Sequence, residues 1–173
     1  RGWKISKFIP DCKNLNPKND AQLQKAMTMA RQLHESDATV ERRFSFYDEG
    51  KGYERSLLAR GPIDVTDWTD MEAQATELHK LLEAESSEPV LCHNDFFSLN
   101  FLVEENGNVS LIDWEYAGMQ DPHVDIAMFC IYSLYKKEQV DHLIDLYFEG
   151  NCDDRTRIKI YCYIAVCGLL WSN

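Results

Sequence analysis

No Gly-x-Gly-x2-Gly motif occurs anywhere in the 173 residues, so the chain carries no glycine-rich phosphate loop of that kind. No two of its six cysteines, at 12, 92, 130, 152, 162 and 167, stand in Cys-x2-Cys spacing. The chain is too long and too sparse in cysteine for a disulfide-dense secreted scaffold, so these read as reduced structural thiols and a zinc site is not expected. No apolar run approaches the roughly 20 residues of a membrane span, and no basic-then-apolar leader opens the chain. Cations are scarce, with 18 Lys and Arg against 29 Asp and Glu and a formal net charge of −11. That balance excludes a non-specific nucleic-acid or anionic-membrane binder, which needs clustered Lys and Arg. It is compatible with a cationic small substrate. The expected protein is soluble and cytoplasmic, its oligomeric state not legible. An initiating Met is absent before Arg1, and the chain is expected to be part of a longer one.

What is present supports a folded globule: 45% of the residues are hydrophobic, enough for one domain with a sizeable core. The chain is organised around residues 90–115. An apolar run, Val90-Leu91-Cys92, delivers His93, Asn94 and Asp95 into a loop, Asn100 follows five positions after Asp95, and a second apolar run delivers Asp113 and Glu115. These residue types suit phosphoryl transfer from a nucleotide, which asks the protein for a carboxylate to orient the attacking hydroxyl and for oxygen ligands to magnesium. Asp95 can be that carboxylate. Asn100 offers a neutral carbonyl oxygen and Asp113 a charged one, a pairing suited to a hard cation. The order is that of the protein kinases, but His93-Asn94-Asp95 replaces His-Arg-Asp, and Ile112-Asp113-Trp114-Glu115 replaces Asp-Phe-Gly.

The set His-x-Asp-x4-Asn followed by apolar-Asp-aromatic-Glu resembles the aminoglycoside phosphotransferase and choline kinase superfamily. Tyr116-Ala117-Gly118, Asp121-Pro122 and Asp125-Ile126-Ala127 narrow the resemblance to the choline and ethanolamine kinases, the bacterial choline kinases in particular. It implies an α+β, protein kinase-like fold, mainly the helical carboxy-terminal lobe, with short β-hairpins carrying the catalytic loop. Residues 1–10 would be the end of the amino-terminal lobe and the hinge, and 11–173 the catalytic and substrate-binding lobe, most of the amino-terminal lobe being missing from this chain. The implied cofactors are ATP and Mg2+, with Asp95 catalytic, Asn100 and Asp113 on the metal, and Glu115 on the metal or the substrate. His93 and Asp125 would support the catalytic loop, and the backbone near Phe8 and Ile9 would meet adenine. A small cationic alcohol such as choline would lie against Tyr116, Tyr132 and Trp171, because a quaternary ammonium is recognised by aromatic faces and carboxylates. Tyr132 stands where several relatives carry an acidic residue, and Gly168 where they carry the first tryptophan of a pair, so choline and ethanolamine both stay open. A kinase for an aminoglycoside, a sugar or thiamine, and a non-catalytic pseudokinase or ligand-binding fragment, are the other readings.

The local pattern predicts a strand from Trp3 to Ile9 stopped by Pro10, and a helix from Asn19 or Asp20 to Ser36 with Leu23, Met27, Ala30 and Leu33 on one face. His34 reads as a packing or capping residue. Residues 37–66 read as a loop-rich connection with one short helix around Tyr53 to Ala59; its Arg42, Arg43 and Arg60 are solvated or meet phosphates. A helix from Asp67 to Ala84 precedes the polar breaker 85–89. Strands Phe101–Val103 and Val109–Ile112 flank a tight turn at Asn106-Gly107. Helices follow from Asp121-Pro122 through Leu134, from Glu138 to Glu149, and from Asp153 or Asp154 toward Trp171.

Overall fold

A computed structural model describes residues 5–171, with side chains through residue 168. Among the described residues, six helices and five short strands follow in the order β1 (Cys12–Asn14), α1 (Asp20–His34), α2 (Phe46–Leu58), α3 (Trp68–Ala84), β2 (Val90–Cys92), β3 (Phe101–Glu104), β4 (Val109–Leu111), β5 (Gly118–Gln120), α4 (His123–Tyr132), α5 (Lys137–Phe148) and α6 (Asp154–Trp171). The strands form two small antiparallel sheets, β1-β3-β4 and β2-β5.

Helix α4 is the centre of the packing. Eight of its ten residues, His123 through Cys130, are buried, as expected of a helix apolar on all sides. Ile126 and Phe129 meet Leu23, Met27 and Ala30 of α1, Leu143 and Ile144 of α5, Ile160 of α6, Phe96 from the loop after β2, and Phe101 of β3 in one core. Asp125 is the exception to that composition, a carboxylate with no solvent exposure. Asp121, just before the helix, accepts the His123 amide at 3.0 Å. It also takes His123 Nδ1 at 2.7 Å and Lys159 Nζ at 2.5 Å. Burial alone would raise this carboxyl, but the hydrogen bond and charge of His123 and the Lys159 ammonium hold it well below the usual carboxylate range.

Most elements lie where their local pattern puts them. Asn19 caps α1 by accepting the Gln22 amide at 3.1 Å, Asp153 caps α6 by accepting the Thr156 amide at 2.9 Å, and α5 ends at Glu149 and Gly150, both at positive φ. All six cysteines are free thiols. No described helix is long and apolar enough to cross a membrane.

Two expectations fail. The strand predicted at 3–9 is not formed over its described part, since residues 5–10 are irregular with Ile5 94% and Phe8 83% exposed; Trp3 lies outside the described residues. The strand begins only at Cys12, after Asp11 turns at φ 52°, where β3 supplies hydrogen-bonding partners in the register Cys12↔Glu104. The loop-rich connection holds a full 13-residue helix, α2, rather than a short one. Gly50 and Gly52 lower its intrinsic propensity by about 1 kcal/mol each. Tertiary contacts outweigh this: Ser45 caps the helix, Phe46 packs edge-on to Phe44, and Tyr47 reaches Thr76 of α3.

Candidate active site

Strand β2 ends at Cys92 and the chain turns at once, because Asn94 adopts φ 63°, a left-handed conformation that Asn tolerates better than most residues. The turn aims the backbone amides of His93 and Asn94 inward, where the Asp125 carboxylate accepts them at 2.9 and 2.8 Å. Asp125 Oδ2 also takes His34 Nε2 at 3.0 Å, and His34 Nδ1 meets the Tyr147 hydroxyl at 2.8 Å. A buried carboxylate is tolerable only when such donors replace water. The ring of His93 is buried with both nitrogens engaged: Nε2 donates to the Ile112 carbonyl at 2.9 Å, and Nδ1 accepts the Asp95 amide at 3.3 Å. That pattern corresponds to the neutral Nε2–H tautomer, assigned from the network. Trp114 covers the ring edge-on at 4.8 Å.

Asp95 is half-buried at the mouth of this loop. Asn100, closing the 3-10 turn Ser98–Asn100, donates its amide nitrogen to the Asp95 carbonyl at 2.8 Å and to Oδ2 at 2.9 Å. Burial raises the Asp95 carboxyl above its ordinary value; the Asn100 hydrogen bond opposes the rise, Asp113 adds to it, and Tyr132 opposes it. The hairpin explains why Asp113 is close. Phe101 pairs with Leu111, and the Ile112 amide donates to the Asn100 carbonyl at 2.9 Å, so residues 100 and 113 sit side by side at the open end. Asp113 itself adopts φ 64°, ψ 61° at the start of the 3-10 turn Trp114–Tyr116.

The aromatic residues form one side of the mouth. Tyr132, at the end of α4, reaches Asp95 Oδ1 with its hydroxyl at 3.5 Å and stacks on Phe97 at 4.4 Å between ring centroids. Burial, then the charge and hydrogen bond of Asp95, push its hydroxyl well up. Tyr116 stands edge-on to Phe44 at 6.0 Å; burial raises its hydroxyl, and Tyr53, Glu115, Asp95 and Glu49 add to the rise. Glu115 is exposed. Of the predicted residues, the structure thus assembles His93, Asp95, Asn100, Asp113, Tyr116 and Tyr132, with Asp125 behind them. Phe8 and Ile9 lie in the irregular lead segment, and the Trp171 side chain is outside the described residues.

Three contributors escaped the sequence reading. His34 is a member of the Asp125 network rather than only a packing or capping residue. Asn94 donates its amide nitrogen to the Tyr116 and Gly118 carbonyls at 3.1 and 3.4 Å, and its preference for left-handed turns was the available signal. Arg42, expected to be solvated or to meet phosphates, donates to the Glu115 carbonyl. A buried cluster of His34, Cys92 and Asp125 has metal-ligand chemistry on paper, but a cation there would displace hydrogen bonds that already occupy both Asp125 oxygens. A cleft of about 440 Å3 lies on α2, α3, α6 and β5, lined among others by Tyr47, His79, Met119 and Tyr163. None of the described candidate residues lines it.

Comparison with known proteins bears on this arrangement. LicA of Haemophilus influenzae is 27% identical over 154 residues, covering 84% of this chain and 55% of that protein, so the chain spans about half the length of this curated relative. The crystal structure of a choline/ethanolamine kinase family protein from Mesorhizobium loti superposes with a TM-score of 0.85 at 25% identity, over 96% of this chain and 58% of that one. The choline kinase LicA from Streptococcus pneumoniae gives a TM-score of 0.80 at 24% identity, with 96% and 58% covered, and a crystal structure of LicA in complex with AMP superposes equally well. The fold is protein kinase-like, α+β, with the helices dominant. Residues 9–161 match the phosphotransferase enzyme family, and with that match covering most of its length the chain belongs to this family.

Proposed function

We propose that the chain is the catalytic and substrate-binding part, residues 11–173, of an ATP- and Mg2+-dependent phosphotransferase acting on the hydroxyl of a small amino alcohol, choline foremost. The observation that carries the reading is the Asp95 carboxylate, hydrogen-bonded to Asn100 and in electrostatic contact with Asp113. In this reading Asp95 accepts a hydrogen bond from the attacking hydroxyl and aims its oxygen at the nucleotide. Its raised affinity for a proton, compared with an exposed carboxylate, suits a group that takes up the hydroxyl proton as the bond forms.

The donor set fits a hard divalent cation. Asn100 commits its amide nitrogen to Asp95, which turns its oxygen to the other side, and Asp113 follows directly on Ile112, whose amide is bonded to the Asn100 carbonyl. Bound Mg2+ would neutralise charge on the transferring phosphate. Asn100 and Asp113 would hold it, and Glu115 would assist the metal or the substrate cation. Tyr116, Tyr132 and Trp171 would face the ammonium, which aromatic rings attract without hydrogen bonds. Residues 1–10 would be the end of the amino-terminal lobe and the hinge, with the backbone at Phe8 and Ile9 against adenine. His93 and Asp125 would hold the loop. This aromatic wall and a relative named as a choline kinase support choline, while another relative is named for choline and ethanolamine together.

The test is Mg2+-dependent ATP consumption by the complete protein, supplied in parallel with choline, ethanolamine and an aminoglycoside panel. The expected result is a choline-selective signal that Asp95→Ala abolishes while the fold persists. Silence with every alcohol, together with no ATP binding, would overturn the reading; an ethanolamine- or aminoglycoside-selective signal would keep the phosphotransferase and replace the substrate.

A further inference from the structure

The turn that presents Asp113 is held by its carbonyl oxygens. His93 Nε2 takes Ile112 at 2.9 Å and Asn94 Nδ2 takes Tyr116 at 3.1 Å, both from the loop around Asp95. The Glu115 carbonyl is taken from a different side, by the guanidinium of Arg42 in the segment between α1 and α2. That guanidinium lies 5.2 Å from the ring centroid of Phe44 and 6.0 Å from that of Tyr116. One side chain therefore touches both the turn that offers Asp113 and the ring facing the substrate. Its backbone has a separate task, since the Arg42 carbonyl accepts the Met119 amide at 2.8 Å, so substitution of the side chain leaves the strand contact in place.

The left-handed conformation of Asp113 persists only where the surroundings over-determine it. Arg42 supports this turn from the outer, substrate side. We propose that Arg42 is a positioning residue that couples binding of a cationic substrate at Tyr116 to the metal affinity of the Asp113 turn. The inference rests on the phosphotransferase reading above. The physical link is competition for an aromatic face. Guanidinium and ammonium are both drawn to the negative face of Tyr116 and repel each other. A bound cation displaces Arg42 from the Tyr116 ring and leaves it on the Glu115 carbonyl and the Phe44 ring, which tightens the turn. A neutral alcohol of the same shape has no such effect.

The experiment is calorimetric titration of the complete protein with Mg2+ in the presence of a non-hydrolysable ATP analogue, without additive, with saturating choline, and with saturating 3,3-dimethyl-1-butanol, the uncharged isostere. Choline is expected to tighten Mg2+ binding by about 3- to 10-fold, the scale of an ordinary coupling between sites, and the isostere to leave it unchanged. By reciprocity Mg2+ tightens choline binding by the same factor. In Arg42→Met, which keeps the apolar stem over Phe44 and Tyr116, the ratio falls to one with little change in melting temperature. Arg42→Lys keeps the charge with a poorer fork of donors and retains part of the coupling. A merely structural role would lower the melting temperature and leave the choline effect intact, and that result overturns the proposal. So does a wild-type protein whose Mg2+ affinity ignores choline, or responds equally to the isostere. Failure of wild type to bind Mg2+–nucleotide or choline at all would instead overturn the phosphotransferase reading itself.

Discussion

Asp125→Asn tests the support of the loop that carries Asp95. The substitution preserves shape but removes a charge and turns one oxygen into an NH2 group. In the wild type Oδ1 takes the Asn94 amide, and Oδ2 takes the His93 amide and His34 Nε2. An amide can present its oxygen on one side only. If it faces His93 and His34, the Asn94 N–H meets another N–H, with no water at a site that has zero exposure. Hydrogen bonds to a charged group contribute about 1.5–3 kcal/mol. Losing one, and weakening two to the neutral value of about 1 kcal/mol, predicts a stability loss of about 2.5–7 kcal/mol. Urea unfolding followed by circular dichroism measures it. In a double-mutant cycle with His34→Ala, the two losses should fall short of additivity by more than about 1 kcal/mol, since the residues share one bond. A loss under about 1 kcal/mol with full additivity would refute the idea that Asp125 pins the loop.

Asp95→Asn should give an inactive protein that is slightly more stable than wild type near neutral pH. The folded Asp95 holds its proton above the unfolded value, so its contribution falls as pH rises from that value through the folded one; a lower melting temperature at pH 7 but not at pH 3 would contradict this. Lys159→Met removes one charged donor from the nearly buried Asp121 carboxylate and leaves it the His123 ring and the His123 and Ser87 amides, so it should lose about 1.5–3 kcal/mol in urea unfolding at pH 7. The loss should shrink as pH falls through the depressed Asp121 value, because the stability of a lowered carboxyl is present above its unfolded value and disappears in acid. Gly118→Ala adds a methyl group 3.1 Å from the Arg42 carbonyl and 3.3 Å from Phe44 Cβ, and should destabilise by about 1–3 kcal/mol; a neutral effect on thermal unfolding would mean that the segment 42–44 yields freely.

How much of the protein was legible depended on how far apart the interacting groups are in the chain. The β3–β4 hairpin was readable because Asn106-Gly107 is a local signal, with Gly107 at φ 83°, and the register follows from it. That register brings Asn100 beside Asp113, so the core of the candidate site was readable as well. The caps at Asn19 and Asp153 and the stop at Gly150 are equally local. The strand predicted at 3–9 failed because apolar content marks a segment that can pair and says nothing of whether a partner is alongside. Helix α2 was underestimated because Gly50 and Gly52 speak against it locally, while Phe44, Phe46 and Thr76 speak for it only in the folded state.

The sequence by itself determined the chemistry: the kinds of oxygen donor, their order, the aromatic residues near them, the helices and the hairpin that spaces Asn100 from Asp113. Only the tertiary structure decided what holds that chemistry in position. Asp125 reaches the Asn94 amide across 31 residues of chain, His34 reaches Asp125 across 91, and Arg42 reaches Glu115 across 73. Turns, caps and helical periodicity arise from neighbours in the chain and leave a local pattern. A hydrogen bond across such distances has none, because what selects its two ends is the packing of α1, α4 and the hairpin around one buried core.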